Sequence, residues 1–149
     1  MPYKNILVAY DGSEQSKRAL SAALEFVDAG LGEHVVMLSA YDPDSLQEID
    51  FEIAARLAGG IMHEGPAPQE LVSEIQSTLE SEFADHLGCI ELVTVYGKPA
   101  EAIVNTAKTK DCDLIVMGSR GLGAVKAALG SVSSAVLRSP NIPPVMITR

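Results

Sequence analysis

A parallel sheet of five strands covered by helices on both faces, an α/β architecture, is the fold class this sequence predicts, on three observations. Short apolar runs rich in β-branched residues alternate with stretches of helical periodicity, the pattern left by successive βαβ units. The run Leu114-Ile-Val-Met117 is apolar throughout, as expected of a parallel strand buried on both faces. Behind it stand Gly118, Gly121, Gly123 and Gly130, where a strand hands over to a helix.

Taken in order, Asn5 to Tyr10 is a short buried strand bounded by polar residues. Asp11-Gly12-Ser13 turns the chain, with Ser13 as N-cap and Ala19, Leu20, Ala23, Phe26 and Val27 at helical spacing. That helix ends near Gly30 and Gly32, and His34 to Tyr41 is the second strand. One right-handed βαβ unit is then complete, so these two strands should be neighbours. Between Asp42 and Pro68 the pattern weakens into acidic residues and the breakers Gly59-Gly60, Gly65-Pro66 and Pro68. We read 42–68 as a mobile surface insertion that covers the site, with an uncommitted flexible loop as the open alternative. His63 stands alone there and reads as incidental.

Gln69 to Leu87 reads as one amphipathic helix through Val72, Ile75, Leu79 and Phe83. Ile90 to Tyr96 is the third strand, and Pro99 opens a helix that packs through Ile103, Val104 and Ala107 and ends near Lys110-Asp111. After the fourth strand and the glycines, Ser131 is an N-cap or first-turn residue of a helix reaching about Arg138. Val145 to Thr148 is the last strand.

A chain of 149 residues reads as a single domain over 1–149, able to bury roughly 68 to 70% of its unfolded surface. It holds no apolar run long enough to cross a membrane, and its start reads as a strand, not a signal peptide. The expected location is cytoplasmic. A net charge of −9 argues against nucleic acid as a partner, because neutralising phosphates needs clustered Lys and Arg. Cys89 and Cys112 lie far from any second Cys or His at metal spacing and read as buried free thiols.

Glycines let backbone N–H groups approach a ligand closely, and a helix start adds unpaired donors and partial positive charge. The glycine loop is therefore a candidate phosphate cradle. Two common cradles do not fit it. Gly118 and Gly123 have Walker A spacing, but Ala124 and Val125 stand where Lys and Ser or Thr are needed. Gly121-Leu122-Gly123 begins a dinucleotide fingerprint, but Lys126 replaces its third glycine. In an open α/β sheet, ligands bind beyond the carboxyl ends of the strands where strand order reverses. Ala9-Tyr10-Asp11 would then face Gly118 if the first and fourth strands adjoin.

The stretches Asn5-Ile-Leu-Val-Ala-Tyr-Asp-Gly-Ser13, Gly97-Lys-Pro99, Asp113-Leu-Ile-Val-Met-Gly-Ser-Arg-Gly121 and Gly130-Ser-Val-Ser-Ser134 together resemble the universal stress protein family. The resemblance spans nearly the whole chain outside 42–68. It implies a Rossmann-like fold of the adenine-nucleotide alpha-hydrolase kind, and a homodimer paired through the C-terminal strand. In the ATP-binding branch it implies a nucleotide held by the glycine loop. By that resemblance Ala9, Tyr10 and Asp11 border the adenosine and metal side, and Ala40 meets the adenine. Met117 and Gly118 flank the ribose and first phosphate. Gly121, Gly130, Ser131 and Val132 hold phosphates. Apart from the resemblance, Arg120 and Lys126 are candidates to neutralise phosphate by their charge, Lys126 reading equally as a solvated surface residue.

Asp11 either closes a turn or makes an indirect Mg²⁺ contact. Tyr10 is bulkier than the small residue usual there, so it is expected to stack on the base or crowd it. The family pattern has nine residues before its last glycine, where Leu122 to Leu129 supply eight. The difference removes up to about 3.5 Å of reach, which Gly123 can absorb. The implied function is ATP-dependent regulation in a stress response, through a conformation or an unknown protein partner. The alternatives are a nucleotide-free dimeric interaction protein and a slow ATP hydrolase. No residue pair suggests faster catalysis.

Overall fold

Strand β1 (Tyr3–Ala9) occupies the middle of the sheet, and its central residues Ile6, Leu7 and Val8 are completely buried. In the computed structural model, which describes residues 3–41, 69–119 and 130–149, β1 is followed by α1 (Glu14–Asp28) and β2 (Gly32–Tyr41). Then come α2 (Gln69–Glu82), a 3-10 segment (Ala84–Cys89), β3 (Ile90–Tyr96), α3 (Pro99–Thr109), β4 (Leu114–Gly118), α4 (Ser131–Arg138) and β5 (Val145–Thr148). The strands form one sheet of five in the order β3-β2-β1-β4-β5, with every pair parallel. The insertion expected over 42–68 lies outside the described residues, as do Arg120 and Gly121.

Side chains alternate across a strand, and the alternation here divides the interior into two clusters. Ile6, Val8, Tyr10, Val35, Met37, Leu114 and Val116 face α1 and α2, meeting Leu20, Leu24, Ile75 and Leu79. Leu7, Val36, Leu38, Ile115 and Met117 face α3 and α4, meeting Ile103, Ala107 and Val136. Runs apolar on both faces therefore mark the central strands, as parallel packing requires.

Local chemistry sets the boundaries. Helix α1 closes with a bond from the N–H of Leu31 to the carbonyl of Phe26 and one from Gly30 to Val27. Gly30 sits at φ +75°, the left-handed position that such a helix end needs. Strand β1 starts at Tyr3, two residues before the sequence suggests, because Asp113 holds its backbone. The Asp113 carboxylate accepts the N–H of Lys4 at 2.8 Å and that of Asn5 at 3.1 Å.

The helix expected to run to Leu87 stops at Glu82, a correction with a tertiary cause. Phe83 leaves helical geometry at φ −131° while its ring packs on the α1-side cluster. Beyond it, Nε2 of His86 lies 2.9 Å from Oδ1 of Asp28, and this ties the tighter segment to the end of α1. Lys17, near the start of α1, joins that helix to the end of α2, its Nζ 3.1 Å from Glu82.

Candidate functional site

Strand order reverses between β1 and β4, which pair directly through Ile6 with Leu114, Leu7 with Ile115 and Val8 with Val116. Ala9-Tyr10-Asp11 and Met117-Gly118-Ser119 consequently emerge side by side at the carboxyl edge of the sheet. The crevice there is the place where open α/β sheets receive ligands.

One wall is the turn into α1. Gly12 adopts φ +85°, and the Asp11 carboxylate accepts the N–H of Ser13 at 2.9 Å. Ser13 caps α1 by accepting the N–H of Ser16 at 3.1 Å. Asp11 thus closes the turn, the first of its two sequence readings, and its side chain is exposed at the crevice. Among the described residues no group of three or more His, Cys, Asp or Glu could hold a metal. Asp11 alone supplies too few ligands for a direct site.

The opposite wall is α4. Its N-cap is Gly130, which offers no side chain to cap the helix, so Ser131 is the first helical residue, as one of the two sequence readings had it. The first-turn N–H groups have no acceptor within a helix, and they carry its positive end. Ser131 is exposed there, and Val132 packs partly against the α3-side cluster. The N–H of Gly130 is already given to the carbonyl of Ser119 at 2.6 Å. Ser133 donates its hydroxyl to the carbonyl of Gly118 at 2.8 Å, which fixes the helix start against the end of β4.

Ala9, Ala40 and Met117 all lie on the α3 and α4 side of the sheet, and the two methyl groups fill little of that edge. Tyr10 does not join them. Its ring is only 6% exposed, inside the α1-side cluster, because successive residues of a strand point to opposite faces. Burial pushes its phenol pKa up. The expectation that Tyr10 stacks on or crowds a base is therefore corrected: only its backbone borders the crevice. The structure brings Ala9, the Tyr10 backbone, Asp11, Ala40, Met117, Gly118, Gly130, Ser131 and Val132 to one edge, while Arg120 and Gly121 lie outside the described residues.

Ser119 and Ser133 lie within the stretches that carry the family resemblance, which gives them no role, and Gln15 carries no sequence signal; all three organise this edge. Ser119 is 9% exposed, gives its N–H to the carbonyl of Thr148 at 2.8 Å, and donates its hydroxyl to Oε1 of Gln15 at 3.2 Å. At the other end of the sheet a cleft of about 280 Å³ is lined by Asn5, His34, Cys89, Glu91 and Lys110 among others. Its polar groups are occupied, with Lys110 Nζ 2.6 Å from Glu91 and the Asn5 amide donating to the Lys110 carbonyl at 3.0 Å. Both cysteines are free thiols; Cys112 is buried and Cys89 half-buried.

An open, doubly wound parallel sheet with a switch-point crevice beside an uncapped helix start is the class of protein the geometry defines. Residues 2–149 match the universal stress protein family model. The Thermus aquaticus universal stress protein in the QAH/OAS sulfhydrylase 3′ region is 34% identical over 148 residues, covering 97% of this chain and 98% of that one. Universal stress protein UspA from Lactobacillus plantarum superposes with a TM-score of 0.73 at 21% identity, covering 100% of this chain and 99% of its own. A universal stress protein solved in complex with cAMP gives 0.68 at 24% identity, covering 100% and 98%. The two superpositions speak for the fold. The chain belongs to the universal stress protein family. No helix among the described residues is long and apolar enough to cross a membrane.

Proposed function

We propose that this chain is an ATP-binding regulatory protein of a stress response, whose occupancy alters its own conformation or the surface it offers a protein partner. The observation that carries the reading is the uncapped start of α4, pinned by Ser133 to Gly118 at the edge where the Asp11 turn also ends. Oriented N–H groups with a helix dipole behind them suit phosphate, and a family relative has been solved with cAMP. Adenosine would lie along Ala9, Ala40 and Met117, and the phosphates at Gly118, Ser131 and Val132, with Arg120 and Gly121 as further loop contacts; Gly130, expected to donate its N–H to phosphate, gives it instead to Ser119 and would only shape the cradle. Mg²⁺ would be reached from Asp11 through water.

Strand β5 forms one edge of the sheet, and an edge strand presents unpaired backbone groups that a second copy can pair with. A homodimer through β5, placed in the cytoplasm, completes the proposal. Catalysis enters it only as slow hydrolysis. Calorimetric titration of nucleotide-stripped protein with ATP, with and without Mg²⁺, tests it. Micromolar affinity, about −8 kcal/mol, is expected. Absence of binding by folded, nucleotide-free protein would overturn it in favour of a dimeric interaction protein.

A further inference from the structure

We infer that Ser119 and Gln15 are positioning residues that brace the two walls of the crevice and set its preference for a phosphate-bearing nucleotide over a bare nucleoside. The inference rests on the nucleotide reading and goes beyond the residues assigned to contact the ligand. Ser119 follows the last residue of β4, and each of its polar groups is bonded to a different element. Its N–H goes to Thr148 at the end of β5, its carbonyl receives the N–H of Gly130 at the start of α4, and its hydroxyl reaches Gln15. Gln15 is the second residue of α1, in the helical turn that Asp11 and Ser13 set up.

The Ser119–Gln15 bond therefore spans the boundary between β1 and β4, where strand order reverses. Its bonded partners on one side belong to the phosphate wall, because Gly130 immediately precedes the first turn of α4. Those on the other side belong to the turn carrying Asp11. A catalytic or binding geometry holds only when neighbouring groups lock its distances, and these two walls come from chain segments 104 residues apart. Ala9 and Ala40, against which the adenosine would lie, are held by strand pairing and do not depend on the brace. Loosening it should cost the phosphates their alignment and leave the nucleoside untouched.

The test is calorimetry with ATP and with adenosine on wild type, Ser119→Ala, Gln15→Leu and the double variant. Expected is a loss of ATP affinity of about threefold to tenfold in each single variant, the worth of one net hydrogen bond. Adenosine affinity should stay within about twofold, and the double variant should be no weaker than Gln15→Leu alone, since Ser119→Ala then removes a bond already lost. Unchanged ATP affinity in both single variants would overturn the inference, as would equal losses for ATP and adenosine, the mark of general loosening. Should Ser119→Ala fail to fold, the half-buried Gln15→Leu decides. Wild type is titrated first: if it binds neither compound the nucleotide reading itself falls, an outcome separate from wild-type binding that the variants leave unaltered.

Discussion

Ser133 donates to the carbonyl of Gly118 across 2.8 Å, joining the third residue of α4 to the last residue of β4. Ser133 is 3% exposed, so Ser133→Ala leaves that carbonyl without its partner in a site poor in water. We expect a loss of about 1 to 2 kcal/mol, read as a lower urea midpoint at constant slope. An unaltered midpoint would show that the helix start is held by other means.

Asp113 performs a comparable task at the other end of the sheet, where its carboxylate receives the N–H groups of Lys4 and Asn5. Its own N–H returns to the carbonyl of Asn5 at 2.9 Å. Hydrogen bonds to a charged acceptor are each worth more than neutral ones, so Asp113→Ala should cost about 2 kcal/mol. Hydrogen exchange should locate the damage at residues 3 to 5, and protection there equal to wild type would refute the assignment.

The buried Tyr10 ring yields a prediction with two halves. Tyr10→Phe keeps the buried ring and removes only its hydroxyl, which should lower stability by no more than about 1 kcal/mol. ATP affinity should remain within about twofold of wild type, because the ring points away from the crevice. A tenfold loss of affinity with no loss of stability would mean that the ring turns toward the ligand.

Alkaline pH should weaken the fold through Cys112. Burial above all, with Asp113, Asp111 and Glu91 adding to it, pushes this thiol from 9.0 up to about 11. On raising the pH the unfolded chain releases its proton first, so stability complete below pH 9.0 drains away as the pH climbs toward about 11. Tyr10, also raised by burial, pulls in the same direction. Thermal midpoints followed from about pH 8 to about pH 11 should fall less steeply for Cys112→Ala than for wild type. Parallel curves would remove the thiol as a cause.

The order and kind of the elements were legible because each strand is a distinct apolar run with turn residues on either side. Ile90–Tyr96 and Val145–Thr148 are bounded as their composition suggests. The end of α2 was not legible, since Val72, Ile75, Leu79 and Phe83 keep helical spacing past the point where the helix stops. What interrupts it is contact between His86 and Asp28, 58 residues apart. The direction of the Tyr10 ring, into the α1-side cluster, was available in principle, because Ala9 and Tyr10 follow one another at the end of an extended run and point to opposite faces. The role of Ser119 was not, because its place within the Asp113–Gly121 stretch says nothing of Gln15, 104 residues away, until the fold brings the two together.

The division of the interior into two clusters, with Tyr10 in one and Met117 in the other, has an evolutionary side. Substitutions on opposite faces share few neighbours, so their effects should add. A change that loosens the Met117 face to admit another ligand can then be offset by a tighter fit under α1, at Leu20 or Leu24, with no alteration at the crevice. Lineages carrying this sheet are free to retune recognition on one side while repairing stability on the other.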